Sequence, residues 1–144
     1  MKVSQLISQK RVVTISATKS VNELVNLLTE YKIGAVVVSE NGIDVAGIVS
    51  ERDVVKKLSQ TENLGNLTVG DLMTKDVQLC RKSDTVAAVM QQMTNGRFRH
   101  LPVVDENGKL ESIVSIGDVV KAHISEIDEE RSALNSYIHN YDFN

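Results

Sequence analysis

The chain is poor in cysteine, proline and aromatic residues. Its 144 residues include one cysteine, one proline and no tryptophan, and aromatic residues make up 3% of the sequence. Because Cys80 has no second cysteine to pair with, an intramolecular disulfide is excluded, and we expect a reducing, cytoplasmic environment. The scarcity of aromatic side chains also argues against a surface on which nucleic-acid bases would stack.

Long apolar runs and a strong charge of one sign are missing as well. No apolar stretch reaches the roughly 18 residues of a membrane span, and the N-terminus lacks the apolar segment of a signal peptide. Five of the 19 acidic residues but one of the 16 basic residues fall in residues 126–144, so the rest of the chain is nearly neutral. We therefore expect neither a membrane nor nucleic acid as a partner.

Motifs for catalysis are absent from the sequence. His100, His123 and His139 do not have metal-ligand spacing with Cys80. No P-loop, Gly-x-Ser-x-Gly or Gly-x-Gly-x-x-Gly pattern occurs. Cys80 lies in a predicted strand, where a buried, inert thiol is expected. We therefore expect a protein that is not an enzyme and that has no metal and no catalytic cofactor.

What the sequence does contain is a duplication. Residues 48–56 (IVSERDVVK) recur as residues 113–121 (IVSIGDVVK), 65 positions later. The Asn-Gly pairs at 41–42 and 107–108 recur at nearly the same distance. An internal repeat of this length predicts two copies of one supersecondary unit that pack on each other. We expect a site at or near the pseudo-twofold axis that relates them.

Each copy is predicted to be a β-α-β-β-α unit, which makes the fold α+β. A short helical turn (3–7 and 68–73) precedes an extended segment (12–15 and 77–80), an amphipathic helix, a hairpin built on Asn-Gly, and a second helix. The hairpins contain an apolar strand at 35–38 and a partner at 101–104, in which Pro102 favours an edge or a strand start. The predicted boundaries are 1–60 for the first copy, 61–67 for a linker, 68–125 for the second copy and 126–144 for an acidic helical tail.

The helices show apolar residues at three- and four-residue spacing. The N-caps are predicted at Thr18 or Ser20 and at Ser83 or Asp84, and Gly34 and Gly96 are expected to stop the first helix of each copy. The apolar positions are Val21, Leu24, Val25, Leu28 and Tyr31 in the first copy, Val86, Val89, Met90 and Met93 in the second, Val54, Val55 and Leu58 or Val119, Val120 and Ile124 in the closing helices.

The last helix is predicted to overrun its copy. Ile124, Ile127, Leu134 and Ile138 continue the apolar stripe into the tail, and nothing in the first copy corresponds to it. Such a stripe is either a packing arm or an interaction surface, and we expect it to be a homodimer contact. Glu126, Glu129 and Glu130 should then remain solvated.

A Ser-x-x-Asp pair stands at the start of each closing helix. Ser50/Asp53 and Ser115/Asp118 follow a predicted strand directly. One interpretation is structural, because serine at the N-cap and an acid three residues later form a capping box. The other is functional, since a helix N-terminus can bind phosphate and an ionised aspartate can accept two hydroxyls of a ribose. The two roles do not exclude each other.

A basic segment precedes the second copy's apolar strand. Arg97, Arg99 and His100 fall within four residues, and arginine offers paired donors for a phosphate. The alternative is a solvated basic loop. The first copy has Lys32-Ile33-Gly34-Ala35 at this place, a weaker anion site, so two sites in the two copies would differ.

The doubled pattern resembles a tandem pair of CBS domains, the Bateman module. The resemblance is carried by GIVSERDVV (47–55) and RHLPVVDENGKL (99–110), covers residues 1 to about 125, and is closest to small stand-alone bacterial CBS-pair proteins. It implies a non-catalytic sensor that binds an adenosine-containing ligand (AMP, ADP, ATP, NAD(H) or S-adenosylmethionine) in clefts between the copies. It also implies a disk-shaped homodimer and a regulated partner protein.

The resemblance also implies site residues. Asp53 and Asp118 would bind ribose, with Ser50 and Ser115 beside them. The phosphate would be bound by Arg97, Arg99 or His100 and by Arg52. Adenine would contact two strand regions in each copy, which contribute Thr14, Ile15, Ala35 and Val36 in the first and Gln78, Leu79, His100, Leu101 and Pro102 in the second.

The sequence departs from the family pattern in both copies. Leu79 replaces a common threonine, and Ala17 and Lys82 replace a common proline. The first copy also lacks a counterpart of Pro102. These departures imply unequal affinity at the two sites. A structural or interaction module with empty clefts, and an enzyme that acts on a nucleotide, are the alternatives from other functional classes.

Overall fold

The first copy follows the predicted β-α-β-β-α order, and the second follows it except for its first strand. The fold is α+β, as predicted. The computed structural model describes residues 1–7 and 12–142. A 3-10 turn covers Val3–Gln5 and another covers Leu64–Asn66 in the linker. The elements are β1 (Thr14–Ile15), α1 (Val21–Tyr31), β2 (Ala35–Val38), β3 (Gly47–Ser50), α2 (Glu51–Leu58), α3 (Val69–Leu72), α4 (Val86–Gly96), β4 (His100–Val104), β5 (Leu110–Ser115) and α5 (Ile116–Asp142).

The first copy forms a three-stranded sheet in the order β1-β2-β3. Strand β2 is parallel to β1 and antiparallel to β3, with Ala35 opposite Ser50. All four residues of β2 are buried, as expected for an apolar strand covered on both faces. The predicted Asn-Gly turn is present, with Gly42 at φ +77°, a conformation that glycine adopts without strain.

The second copy has a two-stranded sheet of β4 and β5, joined by the equivalent turn at Gly108. The predicted extended segment 77–80 is reduced to one parallel bridge, between Cys80 and Val103. The Cys80 amide donates to the Pro102 carbonyl at 3.0 Å. Pro102 itself has no amide hydrogen with which to continue this ladder toward Gln78, which explains why the strand stops here.

The helix predictions need three corrections. Val25 and Tyr31 are exposed rather than in the core, and so are Val55, Leu58, Val120 and Ile124. The N-cap of α1 is Ser20, one of the two predicted residues, but that of α4 is Thr85. Thr85 caps α4 through its hydroxyl, which accepts the Ala88 amide at 3.1 Å, whereas the Asp84 carboxylate accepts the Arg81 amide at 2.8 Å.

The third correction concerns the helix C-termini. Neither Gly34 nor Gly96 is the cap residue of its helix. The C-cap residues of α1 and α4 are instead Lys32 (φ 53°) and Arg97 (φ 57°), both in the left-handed region. Non-glycine residues are uncommon there because Cβ approaches the following carbonyl oxygen.

The two cores exchange their leading segments. Val3 packs in the core of the second copy, beside Val86 and Leu101, whereas Val69 and Leu72 pack in the core of the first copy. Backbone hydrogen bonds fix the exchange, from Val3 N–H to Asp84 at 2.9 Å and from Gly70 N–H to Ala17 at 2.9 Å. Each core therefore combines most of one sequence repeat with the short leading segment of the other repeat.

Helix α5 extends beyond the second copy, as predicted, through Asp142; residues 143–144 of the predicted tail lie outside the described residues. Ile124, Ile127, Leu134 and Ile138 are between 45% and 58% exposed. Glu126 is an exception to the expected solvated acids, because it forms an ion pair with the Met1 amino group at 2.5 Å. Among the described helices, none is both long and apolar enough to cross a bilayer.

Candidate ligand-binding site

A cleft of about 770 Å³ lies where the two copies meet. This volume is within the range of small-molecule sites, which is about 300–1,000 Å³. The first copy supplies the start of β2, the end of β3 and the first turns of α2, and the second copy supplies the connection from α4 to β4. The lining residues are Gly34, Ala35, Ile48, Ser50, Glu51, Arg52, Asp53, Val55, Lys56, Thr74, Arg97, Phe98, Arg99 and His100.

Ser50 and Asp53 form the predicted capping box at the start of α2. The Asp53 Oδ2 atom accepts from Ser50 N–H at 2.8 Å and from the Ser50 hydroxyl at 3.1 Å, while Ser50 Oγ lies 3.4 Å from the Asp53 amide. Within the described part of the chain, every hydrogen bond of this carboxylate uses Oδ2. The other oxygen, Oδ1, is thus available to accept hydroxyl groups from a ligand, so capping and binding are compatible.

The backbone donors at this helix start are largely engaged. The Glu51 amide donates to the Gly34 carbonyl at 2.9 Å, and the Asp53 amide is directed at Ser50 Oγ. A phosphate therefore meets fewer free amides here than at an uncapped helix N-terminus. The charged side chains of the cleft are therefore important additional groups that can bind it.

The α4–β4 connection presents Arg97, Phe98 and Arg99 to the cleft. Arg97 is the left-handed cap residue of α4, which turns the chain sharply toward β4. The Phe98 ring packs directly against Gly96, so close that a Cβ at this glycine would overlap the ring. The glycine thereby lets an aromatic ring form part of the cleft wall between two exposed arginines.

His100 begins β4 opposite Ser115 and lies close to the first copy. A Cβ placed on Gly34 would be 3.6 Å from its Cε1 atom. Burial lowers the pKa of His100, although Glu51 and Asp118 nearby oppose the shift. The imidazole is therefore more strongly biased to its neutral form than a free histidine.

The second Ser-x-x-Asp pair has similar geometry in a more open setting. Ser115 N–H donates to Asp118 Oδ2 at 3.1 Å, and the Asp118 amide donates to Ser115 Oγ at 3.2 Å. Asp118 is exposed, whereas Asp53 is half-buried. Neither residue of this pair lines the 770 Å³ cleft. The two copies thus differ in structure as well as in sequence at the equivalent places.

The structure brings together some of the predicted site residues and separates others. Seven line the cleft: Ala35, Ser50, Arg52, Asp53, Arg97, Arg99 and His100. Nine do not, and of these Ile15, Val36, Leu101 and Pro102 are buried while Thr14, Gln78, Leu79, Ser115 and Asp118 are partly or fully exposed.

Sequence reasoning missed several lining residues. Lys56 lies about one helical turn after Arg52 and Asp53. The period of the helix therefore predicts that Lys56 lies on the same face of α2. Phe98 was visible between the two arginines but was not assigned a role. Glu51 and Val55 lie within the GIVSERDVV motif but were not assigned to the site, and Thr74 belongs to no motif.

Cys80 has no part in this site. It is buried, as predicted, and burial raises the pKa of its thiol to about 12, with a smaller contribution from Asp84. A thiol with this pKa stays protonated and unreactive at neutral pH. Among the described residues, no group of three or more histidine, cysteine, aspartate or glutamate side chains could hold a metal ion.

Both copies match the model of a known protein family. The family model described as CBS domain matches the chain twice, at residues 3–60 and 69–125. The CBS domain-containing protein CBSX3, mitochondrial, of Arabidopsis thaliana is 39% identical over 124 residues. That match covers 83% of this chain and 60% of the relative, so the chain spans less than two thirds of that protein's length.

Solved structures share the fold. The CBS-domain containing protein ATU1752 from Agrobacterium tumefaciens is 42% identical, with a TM-score of 0.79 over 85% of this chain and 99% of its own. CBSX2 in complex with AMP is 26% identical, with a TM-score of 0.74 over 86% of this chain and 97% of its own.

Proposed function

The chain belongs to the CBS-domain family as a tandem pair, and from this premise we propose that it is a non-catalytic regulatory module that binds an adenosine-containing ligand. The ligand would occupy the cleft between the two copies. The observation that carries this proposal is the placement of Asp53 from the first copy and Arg97 from the second on the lining of one cleft. One copy would thereby supply the acceptor for the ribose hydroxyls, and the other would supply the hydrogen-bond donor to the phosphate.

The roles of the side chains follow from their chemistry. Asp53 accepts the ribose hydroxyls through Oδ1, since Oδ2 is held by Ser50. The arginines bind the phosphate, and Ala35, Ile48 and Phe98 provide apolar surface for the base. CBSX2, at 26% identity, has been solved with AMP, which supports a ligand of the class AMP, ADP, ATP or NAD(H). Asp118 and Ser115 would form a second, weaker site.

The proposed output is a change in the relation of the two copies. A ligand that bridges both sides of a cleft favours the arrangement in which both sets of contacts are made. The exposed apolar stripe Ile124, Ile127, Leu134 and Ile138 supports a homodimer as the unit that responds. A separate protein would read the change.

A thermal scan tests this function. The protein would be heated alone and with millimolar AMP, ADP, ATP, NADH, S-adenosylmethionine or GMP. At 100 times the dissociation constant, a bound ligand adds about 2.7 kcal/mol of stability, which corresponds to a shift of about 5–10 °C for a chain of this size. We expect this shift with an adenosine compound and a much smaller one with GMP. No shift with any compound would instead favour a structural module with empty clefts.

A further inference from the structure

We propose that the cleft beside Asp53 selects phosphorylated adenosine ligands and discriminates against uncharged and cationic ones, with Lys56 as a residue that determines this preference. The proposal rests on the proposed function and specifies the ligand class of the same site. Adenosine represents the uncharged ligands, and S-adenosylmethionine, which has a sulfonium and no phosphate, represents the cationic ones. AMP represents the selected class.

The charge of the cleft is opposite to that of the whole protein. The chain has a net charge of −3. The cleft is nevertheless lined by four basic side chains, Arg52, Lys56, Arg97 and Arg99, and by the two carboxylates of Glu51 and Asp53. A local excess of positive charge in a concave site attracts anions and repels cations. A dianionic phosphate would balance this excess.

Among the described residues, none of the four cations forms an ion pair. In the part of the chain that the structure describes, the ion pairs use Lys82, Lys109 and the Met1 amino group, and none involves a cation of the cleft. All four side chains are exposed, so they can approach a ligand without breaking an existing pair.

The cations that line the cleft come from both copies. Arg52 and Lys56 lie one turn apart on α2 of the first copy, whereas Arg97 and Arg99 come from the second copy. A phosphate between them receives donors from both sides, and charge-assisted hydrogen bonds of this kind are stronger than neutral ones. Because the Glu51 and Asp53 amides at the start of α2 are engaged, these side chains supply most of the donors for a phosphate.

Titration calorimetry with AMP, adenosine and S-adenosylmethionine tests the preference. We expect AMP to bind at least about tenfold more tightly than adenosine, and S-adenosylmethionine to bind most weakly. The advantage of AMP over adenosine should shrink when the salt concentration is raised from about 50 to about 500 mM, because exposed charges are screened. Adenosine or S-adenosylmethionine binding as tightly as AMP would overturn the preference and leave the adenosine-binding function standing. No binding of any of the three would overturn both.

Substitutions on α2 locate the effect. Lys56→Gln should weaken AMP about three- to tenfold and leave the affinity for adenosine unchanged. The matched control is Lys57→Gln, which removes the same charge from the next residue of the same helix, outside the cleft lining. Equal effects of the two substitutions on AMP, or an equal loss of adenosine affinity in Lys56→Gln, would contradict the assignment.

Discussion

At the scale of single residues, Asp53 combines a structural and a proposed binding role in one carboxylate. Its Oδ2 atom closes the capping box of α2, and its Oδ1 atom remains for a ligand. Another box outside the cleft has closely matching distances: Asp71 Oδ2 accepts from Thr68 N–H at 2.8 Å and from the Thr68 hydroxyl at 3.1 Å. This pair allows the two roles of Asp53 to be separated.

Asp53→Asn should lower the affinity for AMP by about 10- to 150-fold, because hydrogen bonds to a charged acceptor contribute about 1.5–3 kcal/mol. Asp71→Asn should lower the melting temperature to a similar extent and leave the affinity for AMP unchanged. Calorimetric titrations beside melting curves compare the two variants. Equal affinities of Asp53→Asn and the wild type for AMP would show that Asp53 acts only as a helix cap.

His100 gives the fold a dependence on pH. Burial lowers its folded pKa below the ordinary value of about 6.5, so the folded state binds fewer protons than the unfolded state between the two values. Its contribution to stability is therefore complete above about pH 6.5 and is lost as the pH falls through the folded pKa.

Replacement of His100 by glutamine should remove this dependence. We expect the difference in free energy of unfolding, wild type minus His100→Gln, to be smaller at about pH 5.5 than at about pH 7.5. Urea denaturation of both proteins at the two pH values measures it. The other histidines are common to both proteins and cancel in the difference. A difference that is constant or larger at the acidic pH would contradict the assignment.

At the scale of elements, the helix ends and the long last helix are the informative features. Both α1 and α4 have a positively charged C-cap residue in the left-handed region, Lys32 and Arg97. Only Arg97 lines the cleft beside Asp53. Strained residues of this kind often mark functional positions, where stability is sacrificed for a side chain.

Replacing these two cap residues with glycine should distinguish the effect of backbone strain on stability from the effect of the side chain on AMP binding. Lys32→Gly and Arg97→Gly should each stabilise the fold by about 0.5–1 kcal/mol, the left-handed strain less the added freedom of the unfolded chain. Only Arg97→Gly should weaken AMP. Urea denaturation and calorimetry measure the two effects, and an Arg97→Gly protein that binds AMP as tightly as Lys32→Gly would show that the arginine does not contact the ligand.

The extension of α5 carries an apolar stripe that the described residues leave exposed. Leu134 is 58% exposed, and Ser136 lies on the opposite side of the same helix. If the stripe is a dimer contact, Leu134→Glu should weaken dimerisation about tenfold or more, because a buried apolar side chain is replaced by a charge. Ser136→Glu adds the same charge and should have little effect.

Light scattering across micromolar concentrations compares these proteins. Leu134→Glu should shift toward monomer at concentrations where Ser136→Glu and the wild type are still dimeric. The same mass for all three proteins at every concentration would assign the stripe to the surface of its own copy.

At the scale of the whole molecule, the duplication predicted the architecture because both copies carry the same order of periodic segments and Asn-Gly turns. The exchange of the leading segments was not predictable, since Val3 and Val69 are equivalent in sequence and either core accepts a valine. The caps at Lys32 and Arg97 were missed because glycine is the usual residue there. The cleft itself depends on how the copies pack, which no local pattern encodes.

The most direct measurement for the central proposal is a crystal structure of the protein grown with AMP. We expect the nucleotide in the cleft between the copies, its ribose hydroxyls within about 3 Å of Asp53 Oδ1 and its phosphate in contact with Arg97 and Lys56. A nucleotide bound elsewhere, or one in this cleft whose ribose and phosphate contact neither Asp53 nor these cations, would contradict the account.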